Sequence, residues 1–253
     1  MVYNMAMKKL ILPLVVLVLA SCSGVPPAEK AREHYRQGFM LMQQGNTDSA
    51  KTEFSRAVQL DSSFAEAWCR LGMINAANQN YTDAMFCYRK AIESNSEYAE
   101  AHYYYGLALL AKGDTTKAGD EFLLAVEADS NHIPAREALA SYLLSKGNYE
   151  GAYPHYKALS VLKPNDLNIK YTLGVLGLYT GHYDIAERAV SQVLQENDQN
   201  PDAHLLMGNI LVQQNRFGEA GLELEKAMEQ FKAKGDTQNA AKAEKLLKQI
   251  RKQ

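Results

Sequence analysis

An all-α fold, a right-handed superhelical solenoid of six helix-turn-helix repeats closed by a C-terminal capping helix, is predicted by three features of the sequence. The phrase AEAWCRLG at 65–72 returns as AEAHYYYG at 99–106 and as PDAHLLMG at 201–208. Counted from Ala31, one register recurs at a step of 34 without insertion, giving blocks 31–64, 65–98, 99–132, 133–166, 167–200 and 201–234. Beyond them, in the segment 235–253, Ala240, Ala243, Leu246, Leu247 and Ile250 recur at helical spacing, as expected of a helix covering the open end of a stack.

The first twenty-two residues have the parts of an export signal: Lys8 and Lys9, then an apolar run from Leu10 to Ala20. That run is about half of the roughly 20 apolar residues that a spanning helix needs, so 1–21 reads as a cleaved signal. Its end, Leu19, Ala20, Ser21 and Cys22, resembles a bacterial lipobox, which implies a diacylglycerol on the Cys22 thiol. By the same resemblance, Ser23 directs the mature chain to the outer membrane, where it would face the periplasm. Residues 22–30, CSGVPPAEK, read as a short tether of at most about 30 Å.

Within the blocks, the eighth place is always small: Gly38, Gly72, Gly106, Ala140, Gly174 and Gly208. The twentieth is alanine throughout: Ala50, Ala84, Ala118, Ala152, Ala186 and Ala220. The twenty-fourth is bulky: Phe54, Tyr88, Phe122, Tyr156, Val190 and Leu224. Small residues let two antiparallel helices approach, and the bulky residue fills the space beside them. At the fifteenth place Gly45, Gly113, Gly147 and Gly181 suit the left-handed residue that ends a helix, Asn215 can serve, and Gln79 departs.

This pattern resembles the tetratricopeptide repeat, whose period is 34. The resemblance implies that first helices line a concave surface through places two, five, nine, twelve and thirteen. On this chain those places supply a largely apolar candidate face: Tyr35, Phe39, Met42, Met73, Tyr103, Leu107, Leu110, Tyr171, Val175, Leu178 and Tyr179. Chaperone-binding members of the family clamp a carboxylate with lysine at place five. Here that place holds Tyr35, Cys69, Tyr103, Glu137, Tyr171 and Leu205, which disfavours that ligand class. Exposed apolar stripes receive amphipathic helices or extended segments.

Catalysis and metal binding find no support. The chain has no HExxH, no CxxC and no glycine-rich phosphate loop. His34, His102 and His204 share the fourth repeat place with Trp68, Arg136 and Lys170, so they read as architecture. Cys69 and Cys87 read as unpaired thiols, since repeat geometry does not bring their Cα atoms within disulfide reach. Tyr103, Tyr104 and Tyr105 cannot form one stacking platform, because adjacent helical residues point in different directions.

Charge is unevenly placed. Residues 232–253 carry seven Lys or Arg against two acids. With a chain total of −2 and two lysines at the start, residues 23–231 sum to −9. An acidic body therefore ends in a basic helix, and nothing in the total favours nucleic acid.

The resulting expectation is a non-enzymatic, cofactor-free scaffold that holds an envelope protein and aids assembly of an envelope complex. Its lipid-anchored, six-repeat layout resembles the type IV pilus biogenesis lipoproteins, the pilotins, which implies a secretin subunit as partner. A general adaptor recruiting periplasmic proteases or cell-wall enzymes is the alternative.

Overall fold

The computed structural model describes residues 25–252; Cys22 and the export segment lie outside the described residues. Over that range the chain folds into thirteen α-helices and no strand. They are α1 (Pro27–Gln43), α2 (Thr47–Leu60), α3 (Ala65–Ala77), α4 (Tyr81–Ser94), α5 (Ala99–Ala111), α6 (Thr115–Ala128), α7 (Ile133–Ser145), α8 (Tyr149–Leu162), α9 (Leu167–Tyr179), α10 (Tyr183–Glu196), α11 (Pro201–Gln213), α12 (Phe217–Ala233) and α13 (Thr237–Ile250). From the second block on, the first residue of every block is the first residue of a helix.

The first block differs. Its helix begins at Pro27, so the last four residues of the expected tether are helical. Proline at the first helical position has its φ preset and lacks only an N–H that would go unbonded anyway. Glu29 in the first turn adds a favourable charge at the helix N-terminus.

The chain divides into two compact units, 25–121 and 122–252 among the described residues, with the boundary inside α6. In the first unit, Ala50, Phe54 and Ala57 of α2 pack on Ala67, Leu71 and Ile74 of α3. A neighbouring cluster joins Cys69, Ala84, Tyr88, Ala101 and Ala108. In the second unit, Ala186, Val190 and Val193 of α10 meet Leu206, Ile210 and Leu211 of α11. Leu247 and Ile250 of α13 join the same cluster, while Ala240 and Ala243 pack with Ala227 and Phe231. The C-terminal segment is thus a helix with its apolar stripe buried.

Close approach at the eighth place is visible in four blocks. A Cβ added to Gly38 would lie 2.8 Å from the Phe54 ring, and one on Gly72 would lie 2.4 Å from Tyr88. At Gly174 and Gly208 the nearest atoms belong to Val190 at 2.4 Å and Leu224 at 2.6 Å. All six alanines of the twentieth place are 0% exposed.

All six residues of the fifteenth place are left-handed, including Gln79 at φ 63° and Asn215 at φ 60°. Gln79 therefore keeps the turn despite its side chain, because the flanking helices dictate the path. A non-glycine residue in this conformation costs about 1–2 kcal/mol, and glycine returns about 0.5–1 kcal/mol of that as unfolded-state entropy. Gln79→Gly should therefore stabilise the protein by about 0.5–1 kcal/mol in urea unfolding. A loss of stability would show that the Gln79 side chain makes a contact outweighing its backbone strain.

Candidate functional site

The residues expected on the concave face fall into two groups. Tyr35, Met42, Met73, Tyr171, Val175 and Leu178 are half-buried and pack on the core. The Tyr35 ring, for example, lies 4.9 Å from Phe64 and 5.6 Å from Phe54. Phe39, Leu107, Leu110 and Tyr179 remain open, at 38%, 37%, 41% and 65% exposure. Tyr103 is half-buried against Tyr104, at 5.2 Å between ring centroids.

Helical spacing assembles these residues into faces. Tyr103, Leu107 and Leu110 stand at i, i+4 and i+7 on α5, and Tyr171, Val175 and Leu178 do the same on α9. In the second unit Tyr179 stacks on Tyr149 of α8, with centroids 4.9 Å apart and planes 26° apart. Tyr149 is itself exposed and comes from a second helix, so first-helix positions alone could not reveal it. Cys69, although at place five, is wholly buried and contributes nothing to the surface.

A charged group also enters the first unit's face. Arg70 of α3 reaches Glu100 of α5 at 3.3 Å, and Glu100 accepts a 2.7 Å hydrogen bond from the Tyr98 hydroxyl. Arg70 Nη1 also lies 3.1 Å from the Met73 sulfur. Burial disfavours the guanidinium charge, but a hydrogen bond with Tyr35 and the attraction of Glu100 outweigh it. Its Nε is buried without a hydrogen-bond partner. Tyr35 and Met73 of the expected face are thus tied to a cation that sequence reading left out. The available signal was the 30-residue spacing from Arg70 to Glu100, which joins adjacent blocks.

With helices, register and faces in place, similarity to known proteins decides the family. Models of the tetratricopeptide repeat match residues 30–64, 65–98, 87–133 and 178–234. The chain is a tetratricopeptide repeat protein. Among solved structures, YrrB, described as a tetratricopeptide protein with an unusual peptide-binding site, is similar at TM-score 0.61 and 22% identity, over 76% of this chain and 97% of that one. A tetratricopeptide protein from Parabacteroides merdae gives TM-score 0.53 at 15% identity, over 87% and 98%. Pseudomonas aeruginosa pilF gives TM-score 0.43 at 21% identity, over 74% and 91%, a likeness too low to bear on function. No curated protein matches the chain significantly. These likenesses establish the fold.

In this tetratricopeptide protein the fourth place has a structural task. Its side chain donates backward to the carbonyl six residues earlier: Trp68 to Ser62 at 2.9 Å, His102 to Ser96 at 3.0 Å, His204 to Asp198 at 2.9 Å, and Arg136 to Ser130. Fourth-place residues also reach across to the second helix of their own block, Arg136 to His155 at 3.3 Å and three histidines to glutamates. His34 meets Glu53 at 2.6 Å, His102 meets Glu121 at 2.7 Å and His204 meets Glu223 at 2.6 Å, each at a spacing of 19. The histidines are therefore braces. Among the described residues no group of His, Cys, Asp and Glu could hold a metal. Cys69 and Cys87 are unpaired and buried, and burial pushes their thiols up to about 12 and about 11, so neither is a thiolate nucleophile at neutral pH.

The braces give a pH dependence. Burial lowers the His102 and His204 values, but their carboxylate partners and backbone acceptors outweigh it and raise both above the ordinary 6.5. A raised histidine contributes stability that is complete below the unfolded value and is lost as pH rises through the folded value. Glu223, lowered chiefly by His204, contributes in the opposite sense: its stabilisation is present above 4.5 and lost as pH falls through its lowered folded value. Melting temperature should consequently fall as pH rises above the ordinary histidine value of 6.5 and through the raised folded values, and His102→Gln with His204→Gln should remove most of that slope. An unchanged slope in the double variant would assign the dependence to other groups.

Proposed function

We propose that the protein is an outer-membrane lipoprotein, anchored at Cys22 and facing the periplasm, whose first-helix faces hold an amphipathic or extended segment of another envelope protein. The observation that carries this reading is the exposure of the large side chains Phe39, Leu107, Leu110 and Tyr179 on first helices. Large side chains left open beside half-buried aromatics are what a helix-in-groove or extended-segment ligand requires. Lipidation at Cys22 rests on the lipobox-like LASC, and buried acyl methylenes at about 0.8 kcal/mol each would hold the chain stably at the bilayer. Among the described residues no helix is long and apolar enough to cross a membrane.

Within this class, support of secretin assembly in a type IV pilus follows the pilotin-like layout of a lipobox followed by six repeats. The general adaptor for periplasmic proteases or cell-wall enzymes uses the same face. Two substitutions separate the parts of the proposal. Cys22→Ser should leave an uncleaved precursor that takes no label from a palmitate analogue; normal maturation would remove the anchor. Leu107→Asp with Leu110→Asp should weaken partner binding by about 10-fold or more at a temperature well below the variant's own melt, which is measured beside it because both side chains are more than half covered. Full binding by that double variant would move the partner to another face.

A further inference from the structure

The outward face of α13 carries an excess of positive charge. Its buried stripe is Ala240, Ala243, Leu247 and Ile250. Directly opposite, at helical spacings of four, three and four, run Ala241, Lys245, Lys248 and Lys252, which line one shallow depression with Glu244 and Gln249. From 232 to 252 every fully exposed charged residue is a cation: Lys232, Lys234, Lys242, Lys245, Lys248, Arg251 and Lys252. Of the two acids of that stretch, Asp236 caps the start of α13 and Glu244 pairs with Lys248.

Local pairing does not consume this charge. Glu244 takes Lys248 at 2.7 Å and Glu225 of α12 takes Arg251 at 2.7 Å, both exposed pairs of the kind that contributes little. Lys245 and Lys252 have no ion-pair partner among the described residues. A helix end that only needed solvation would mix signs, as solvent-facing surfaces usually do.

We infer that the α13 face is a second, electrostatic contact with an anionic lipid surface, separate from the first-helix faces and independent of lipid on Cys22. Three observations favour a bilayer over an acidic protein. Lys245 and Lys248 share one side of α13, and Lys252, in the turn just after the helix, lines the same depression, so a plane of headgroups meets these cations together. None of the chain's exposed large apolar side chains lies on α13, whereas protein interfaces centre on apolar and aromatic residues and are depleted in lysine. Because 23–231 is acidic, an anionic plane repels the body and attracts the end, which orients the molecule. Phosphate is the shared chemistry of such headgroups, and lysine binds it as a point charge.

The test uses the chain from Val25 onward, which contains all thirteen helices and every core cluster. It should sediment with vesicles of phosphatidylcholine containing about one third phosphatidylglycerol, and not with phosphatidylcholine alone, at about 0.05 M salt. Raising salt to about 0.5 M, or substituting Lys245→Gln, Lys248→Gln and Lys252→Gln together, should weaken binding by about 10-fold or more. Arginine at the same three positions should restore it. Inorganic phosphate should compete no better than chloride at matched ionic strength. Equal binding to both vesicles, no binding to either, or full binding by the glutamine variant would overturn the inference. So would selective competition by phosphate, which would indicate a single-anion site, or tighter binding to polyglutamate than to vesicles, which would indicate an acidic protein. None of these outcomes depends on the first-helix partner.

Discussion

Gly72→Ala should destabilise the protein by about 1–3 kcal/mol, although alanine is the better helix former by about 1 kcal/mol. The new methyl would stand 2.4 Å from Tyr88 Cε1 and 2.7 Å from Cδ1, inside van der Waals contact. Tyr88 is 1% exposed and its ring stacks at 6.0 Å on Tyr104, so it has no room to withdraw. Overlap with an immobile ring outweighs the gain in propensity. The same change at Gly221, in the middle of α12, meets nothing closer than Ile250 Cδ1 at 3.7 Å, and should stabilise by up to about 1 kcal/mol. Opposite signs for one chemical change would locate the tight contact at the eighth place. Equal shifts in urea midpoint would place the helix crossing elsewhere.

Removing residues 236–253 should cost more, about 3–6 kcal/mol, because it uncovers an apolar surface as well as deleting a helix. Leu247 and Ile250, at 4% and 8% exposure, leave the cluster that contains Leu211 and Leu224. Phe231 and Ala227 lose Ala240 and Ala243. Each large aliphatic side chain contributes about 1.5–3 kcal/mol on burial, and a terminal repeat without a polar cap invites aggregation. Neutralising Lys245, Lys248 and Lys252 to glutamine keeps the helix and should leave the melt nearly unchanged. A truncated chain melting with the intact one would mean that α13 does not cap the stack.

Much of this architecture is legible in the sequence because a repeat presents each packing rule six times. The small eighth place, the invariant alanine of the twentieth and the bulky twenty-fourth are one contact seen from three positions, and Gly72 against Tyr88 displays it. Other features depend on context that residue type conceals. Pro26 and Pro27 read as a linker, yet the second of them opens α1, since proline breaks a helix only from within. Gln79 carries no sign of a left-handed turn, and its two helices impose one. The His–Glu brace recurs at a spacing of 19 in three blocks, but Trp68, Arg136 and Lys170 occupy the same place elsewhere and hide the rule.

The candidate face was legible only as a list of places. Periodicity indicates which residues share a side of a helix, not how deeply a neighbouring helix covers them. Tyr35 and Tyr171 therefore look equivalent in sequence to Tyr179, yet the first two support the core and the third stands open. Arg70 was missed for a related reason: it lies one place beyond the expected series and reaches the face only through the length of its side chain.

The central claim, that the open first-helix residues receive an envelope protein, is tested most directly by photocrosslinking in cells. A photoreactive residue would replace Leu110 or Tyr179 in turn, with Thr52 and Asp120, exposed on second helices, as controls. The account predicts one discrete envelope-protein adduct from both first-helix positions, lost at the Leu110 position when Leu107 carries aspartate, and none from Thr52 or Asp120. Adducts confined to the second-helix positions would contradict it.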